Sequence, residues 1–306
     1  MEKRQLGSSD IHVSVLGLGC MSLGTEQTKA QNIIAEAIEL GINYFDTADL
    51  YDFGVNETFV GQALKKRRHD LILATKVGNR WNTTKDSWTW DTSKKYIKEA
   101  VKQSLQRLQT DYIDLYQLHG GMIEDNIDEI IEAFEDLKQD GVIRQYGISS
   151  IRPNVIREYI EKSSIVSVMM QYSLLDRRPE ETIISLLNKH NISLLPRGPI
   201  AKGLLTDKAE KKLEAHFHQK GYLNYTGDEL ADTISKLREV RPTYTLNETA
   251  LQYCLFNQTV SSVVTGASNS SQLRENVKAV TSKALTTQEY AELQSIVKVN
   301  QYDAHR

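Results

Sequence analysis

The chain is poor in the features that would place it in several large classes of protein. It holds two cysteines, Cys20 and Cys254, far apart in 306 residues, which excludes a disulfide framework and points to a reducing compartment, the cytoplasm. Both read as small core residues. No apolar run approaches the length of a membrane span, and the polar opening Met1 to Asp10 lacks the apolar core of a secretory signal. The formal net charge of −3 leaves no basic field of the kind a phosphate backbone requires, so nucleic acid is not an expected partner. No Gly-x-Gly-x-x-Gly turn occurs, which argues against a Rossmann site. His216 and His218 form an isolated His-x-His without further ligands at a recognisable spacing, so no metal site is expected.

What is present is a repeat. After a Gly-Ser-Ser-Asp turn between Arg4–Leu6 and Ile11–Ser14, which predicts a β-hairpin, short apolar runs begin near 15, 42, 71, 113, 146, 166, 192 and 260. Their hydrophobicity is continuous rather than alternating, the mark of strands buried on both faces. Helical stripes lie between them, such as Ile33, Ile34, Ala37 and Ile38, or Ile97, Val101, Leu105 and Leu108. Pro153 and Pro179 each predict a helix start, and Thr286 with Glu289 forms a capping box. Eight strands, each followed by a helix, with no linker or composition break, predict one α/β domain over residues 1–306. The expected fold is a single (β/α)8 TIM barrel with the N-terminal hairpin covering its bottom.

In such a barrel the reacting groups come from the C-terminal strand ends and the loops behind them. Asp46, Lys76, His119, Ser149 and Gln171 all fall there, and Tyr51 lies five residues beyond Asp46. A lysine closing an apolar strand is costly to bury without a carboxylate, and Asp46, one strand away, is its natural partner. Asp49 and Asp52, in the same loop, read as solvated.

The chain resembles the aldo-keto reductases. The likeness rests on Phe45-Asp46-Thr47-Ala48 with Tyr51, Gly54, Glu57 and Gly61, and on Ala74-Thr75-Lys76. It continues through Arg107-Leu108, Asp111 to Leu115 and Leu118-His119, then Gly147-Ile148-Ser149, and Gly266-Ala267-Ser268 with Glu275-Asn276. The resemblance implies a catalytic set of Asp46, Tyr51, Lys76 and His119, with NADPH rather than NADH as cofactor and a small carbonyl compound as substrate. Tyr51 would donate the proton, Lys76 would make that phenol a better acid, Asp46 would hold the lysine, and His119 would polarise the carbonyl. A cation about 4 Å from a phenol at an effective dielectric near 20 is worth about 4 kcal/mol, which is sufficient for that purpose.

The cofactor would lie along Gly19, Met21, Ser149, Gln171, Arg197, Lys202, Gly266, Ser268, Gln272, Glu275 and Asn276. The family positions for the nicotinamide carboxamide fall on Ser149 and Gln171. Arg197 stands where many relatives place an aromatic ring against the nicotinamide, and its planar guanidinium can still stack. Ser268 and Gln272 replace frequent cations for the 2′-phosphate, leaving Arg274 as the nearest candidate. Trp81, Trp88 and Trp90 crowd the loop after the third strand and are expected to wall a substrate pocket. Residues 206–229 read as a flap over the cofactor. Two rival readings are a cofactor-binding regulatory subunit of the same fold and a metal-dependent barrel hydrolase. The second lacks the histidine and acid clusters it needs.

Overall fold

The computed structural model describes residues 1–306. In chain order it contains the hairpin β1 (Lys3–Gln5) and β2 (His12–Ser14), then β3 (Leu16–Gly19), α1 (Gln27–Glu39), β4 (Tyr44–Asp46) and α2 (Val55–Leu64). Strand β5 (Ile72–Val77) is followed by the small hairpin β6 (Asn79–Trp81) and β7 (Trp88–Trp90), and then by α3 (Lys94–Leu108). Next come β8 (Ile113–Leu118), α4 (Ile127–Gln139), β9 (Ile143–Ser149), α5 (Pro153–Lys162), β10 (Ser167–Gln171), α6 (Ile183–Lys189) and β11 (Ser193–Arg197). The chain ends with α7 (Ala209–Lys212), α8 (Gly227–Val240), α9 (Leu246–Phe256), β12 (Val263–Gly266), α10 (Ser270–Thr281) and α11 (Thr287–Ile296).

Eight parallel strands close into a barrel in the order β10-β11-β12-β3-β4-β5-β8-β9. Both faces of these strands are covered, which is why their sequences are apolar without alternation. The interior below the functional rim is packed by Tyr44, Ile72, Ala74, Leu115, Met169, Leu195 and Val264. Leu6, Ile11 and Val13 of the N-terminal hairpin join that cluster, so the hairpin plugs the barrel bottom.

The helices are set by stripes and caps. In α3, Ile97, Val101 and Leu108 are buried, Ser93 caps the start through the Tyr96 amide, and Gln109 in the left-handed region ends it. Helices α2 and α3 approach closely because position 61 is glycine. A Cβ there would stand 2.4 Å from the Leu108 carbonyl oxygen. Capping boxes open α8, α9 and α11.

One local expectation differs. Pro179 lies in a short 3-10 turn, Arg178–Glu180, and the α-helix begins only at Ile183. Glu180 is drawn into a polar knot with Tyr172, Tyr253 and Arg177, which holds the turn apart from the helix. Residues 206–229 carry helix α7 and a π-turn, Leu213–Phe217, with Leu213, Phe217, Tyr222 and Tyr225 buried. This segment is anchored by apolar side chains at several points, which its polar composition hid. No helix is long and apolar enough to cross a membrane.

Candidate active site

The C-terminal rim opens into one large cavity of about 1380 Å³. Strand register fixes what projects into or beneath it. Asp46 ends β4 beside Ala74 of β5, and Lys76, two residues further along β5, therefore faces the same interior. Lys76 is fully buried, and its Nζ donates to Asp46 Oδ1 at 2.5 Å and to the Thr47 carbonyl at 2.7 Å. The same Nζ stands 3.4 Å from the Tyr51 hydroxyl. His119 follows β8 directly, and its ring meets that of Tyr51 edge-on with centroids 5.9 Å apart. Asp46, Tyr51 and His119 line the cavity, with Lys76 behind them.

The electrostatics follow from this packing. Burial alone would lower Lys76, but the Asp46 carboxylate and the Tyr51 oxygen carry it above the usual lysine value. Burial raises Asp46 against the pull of Lys76 and Gln117. We read the pair as ionised, because two charge-assisted bonds hold the carboxylate. His119 is brought down to about 3, by burial first and then by the charges of Lys76 and Arg197. It is neutral at physiological pH. Its Nδ1 is buried without a partner, so Nε2 is the nitrogen that can reach a ligand.

The Tyr51 loop is clamped from outside the barrel. Glu57, fully buried, accepts from Thr75 Oγ1 at 2.6 Å and from Arg107 Nε at 2.6 Å, and Asn56 ties Thr47 to the Cys20 carbonyl. Asp49 is not solvated as its loop position suggested. It is 4% exposed, with Oδ1 unpartnered, and burial followed by the neighbouring Glu57 charge pushes its carboxyl well up. Glu57 of α2 and Arg107 of α3 act on it, the second a tertiary effect absent from the local sequence. Asp52 is exposed.

All eleven expected cofactor-side residues line the cavity: Gly19, Met21, Ser149, Gln171, Arg197, Lys202, Gly266, Ser268, Gln272, Glu275 and Asn276. Gln171 pairs in register with Arg197, whose Nη1 donates to Gln171 Oε1 at 3.4 Å. The Tyr222 hydroxyl accepts from Gln171 Nε2. At the other end, α10 begins against the cavity. Gln272 Oε1 accepts from the backbone amide and hydroxyl of Ser268. Arg274 points elsewhere, to Glu36 at 2.5 Å, and does not line the cavity. Residues the sequence did not single out also line it: Lys208 and Lys212 from the 206–229 segment, Arg152, Asn247, and the tail Tyr302 to His305. Long basic side chains in a polar insertion carry no distinctive signal.

The three tryptophans do not line the cavity. The β6–β7 hairpin pairs Trp81 with Trp88. Trp90 lies over Gly78 and Gly120 and donates to Asp125, Trp81 packs on Phe53 and under Arg107, and Trp88 is 52% exposed. The Trp90 ring has its place because Gly78 and Gly120 leave room for it.

The family model for the aldo/keto reductases matches residues 15–298, a span that holds the buried lysine, its carboxylate, the phenol and the histidine. The chain belongs to the aldo-keto reductase family. It is 61% identical over the full length of both chains to an uncharacterized oxidoreductase, YqkF, of Bacillus subtilis. It is 31% identical to an NADH-specific methylglyoxal reductase of Escherichia coli, covering 92% of this chain and 94% of that one. The holo form of the aldo-keto reductase AKR11C1 from Bacillus halodurans superposes with a TM-score of 0.94 at 60% identity, covering 100% of this chain and 99% of that chain. Aldo-keto reductases are generally nicotinamide-dependent oxidoreductases, and the alternative of a non-catalytic regulatory subunit is not favoured.

Proposed function

We propose that this aldo-keto reductase reduces aldehydes and ketones to alcohols with NADPH, with Tyr51 as the proton donor. The observation that carries the reading is the position of Lys76 Nζ, bonded to Asp46 and 3.4 Å from the Tyr51 hydroxyl, with His119 facing them. When bound, the reduced nicotinamide supplies the hydride. The protein's part is to hold the carbonyl and complete the alkoxide. His119, neutral and with Nε2 free, donates a hydrogen bond to the carbonyl oxygen. Tyr51 delivers the proton to that oxygen as negative charge develops, and the Lys76 ammonium stabilises the phenolate left behind. Asp46 keeps the ammonium in place.

The cavity fits a dinucleotide in size and in donor set. Ser149, Gln171 and Arg197 stand near the reacting end, and Lys202, Lys208 and Lys212 supply positive charge along the walls. For the 2′-phosphate the support is thinner. Arg274 is engaged by Glu36, so NADPH would rely on the hydroxyls and amides at the start of α10 and on the wall lysines. Preference for NADPH over NADH is therefore proposed to be modest. The experiment is a matched assay of NADPH and NADH oxidation with short aliphatic and aromatic aldehydes. No turnover with either cofactor, despite binding, would overturn the reading, and turnover with NADH alone would overturn the cofactor assignment.

A further inference from the structure

The buried pair at the centre of the site is completed by a residue outside the four. Gln117 lies on β8 in register with Lys76 of β5 and is fully buried. Its Nε2 donates to Asp46 Oδ2 at 3.0 Å, while Lys76 takes Oδ1 at 2.5 Å. Only the amide nitrogen can face a carboxylate, so the orientation of the Gln117 side chain is chemically determined. That leaves Oε1 buried with no partner in the protein. An unmatched carbonyl in a dry interior is a cost that a methionine or leucine of similar volume would avoid. Packing therefore does not account for an amide at this position, whereas a hydrogen bond to the second oxygen of Asp46 does.

We propose that Gln117 is a positioning residue for the reaction: it fixes Asp46 Oδ2, keeps that carboxylate ionised and turned to Lys76, and so holds the ammonium at the Tyr51 hydroxyl. This rests on the reductase reading above. Without the amide, Asp46 has one unsatisfied oxygen in a buried site and more readily takes a proton. Lys76 then loses the charge that anchors it. Of the other titratable groups facing Asp46, the Cys20 thiol turns to the Leu18 carbonyl, and the neutral Tyr44 phenol supports the ionised carboxylate less than Gln117 does. His119 carries no charge either.

The test is Gln117→Met in the full-length protein. The expected result is a kcat reduced by about 10- to 100-fold with unchanged NADPH affinity, and an alkaline limb of the pH–rate profile moved up by about one unit. A second readout needs no turnover. In cofactor-free protein, the phenolate absorbance that a Tyr51→Phe control removes should emerge at higher pH in Gln117→Met than in wild type. Should Gln117→Met fail to fold, the isosteric Gln117→Glu serves. Its activity should fall as its carboxyl ionises and recover toward acid pH, where the protonated acid again donates to Asp46. A Gln117→Met profile that superimposes on wild type after scaling, with an unmoved phenolate titration, would overturn the proposal, as would a Gln117→Glu profile identical to wild type. A wild type that oxidises no NADPH would overturn the reductase reading instead, and the phenolate titration would still decide the role of Gln117.

Discussion

The two ends of the cavity are built on different principles. At the reacting end, side chains from strands in fixed register, braced by Glu57 of α2 and Arg107 of α3, are joined by short bonds: Lys76 with Asp46, Asp46 with Gln117, Glu57 with Thr75 and Arg107. At the other end, where we place the adenosine, the lining comes from loops, α7 and the start of α10. There the bonds are local, as between Ser268 and Gln272, and the lining lysines, Lys202, Lys208 and Lys212, are exposed. The barrel thus holds the buried cluster tightly and the rest of the cavity wall loosely. Substitutions should show the same gradient.

The largest effect is expected at Tyr51. Tyr51→Phe should lower kcat by about 10²- to 10⁴-fold, the usual contribution of a positioned acid, while fluorescence titration gives an NADPH affinity close to wild type. Comparable rates in the two proteins would dissolve the distinction between the ends. Lys76→Met comes next. Removing one partner of a buried ion pair strands the other, so chemical denaturation should show a loss of about 3–5 kcal/mol, partly restored in the double variant with Asp46→Asn.

These large effects sit where the sequence was most readable. Lys76 closing an apolar strand demanded a carboxylate, and the recurrence of buried strands demanded a barrel. Less was legible wherever a residue's meaning depends on what packs over it. Gln117, inside Leu115-Tyr116-Gln117-Leu118-His119, looks like a polar interruption until β4 brings Asp46 beside it. Asp49 reads as a solvated loop acid because part of what surrounds it, such as Arg107 of α3, is distant in sequence. The tryptophans drew attention to a wall they do not form: Trp90 is seated over Gly78 and Gly120, Trp81 packs on Phe53, and Trp88 is exposed.

A pH test follows from His119. Its folded value, about 3, lies below the ordinary imidazole value of 6.5. The associated stability is fully present above 6.5 and declines as pH falls from there toward 3. His119→Asn should lose less stability than wild type over that window in pH-dependent thermal melts, and equal acid slopes would contradict a neutral buried histidine. At the loose end the shifts should be small. Arg197→Tyr should change the ratio of NADP⁺ to NADPH affinities by a few-fold, the scale of a partly exposed charge, and an unchanged ratio would separate Arg197 from the nicotinamide. Arg274→Ala should alter NADPH affinity by less than about twofold, because its guanidinium serves Glu36. A tenfold loss in equilibrium titration would place a phosphate-binding cation at that end after all.

The Glu57 clamp has a consequence in time. One carboxylate joins α2, β5 and α3 across a separation of 50 residues along the chain to Arg107, and the backbone amide of Tyr51 is itself bonded to the Ala48 carbonyl. To expose the amides between Thr47 and Glu57 to solvent deuterium, three elements must part together. Their exchange should therefore approach the rate of global unfolding, while residues 206–221 exchange through smaller openings. The Tyr51 hydroxyl would then keep its address for about as long as the molecule stays folded.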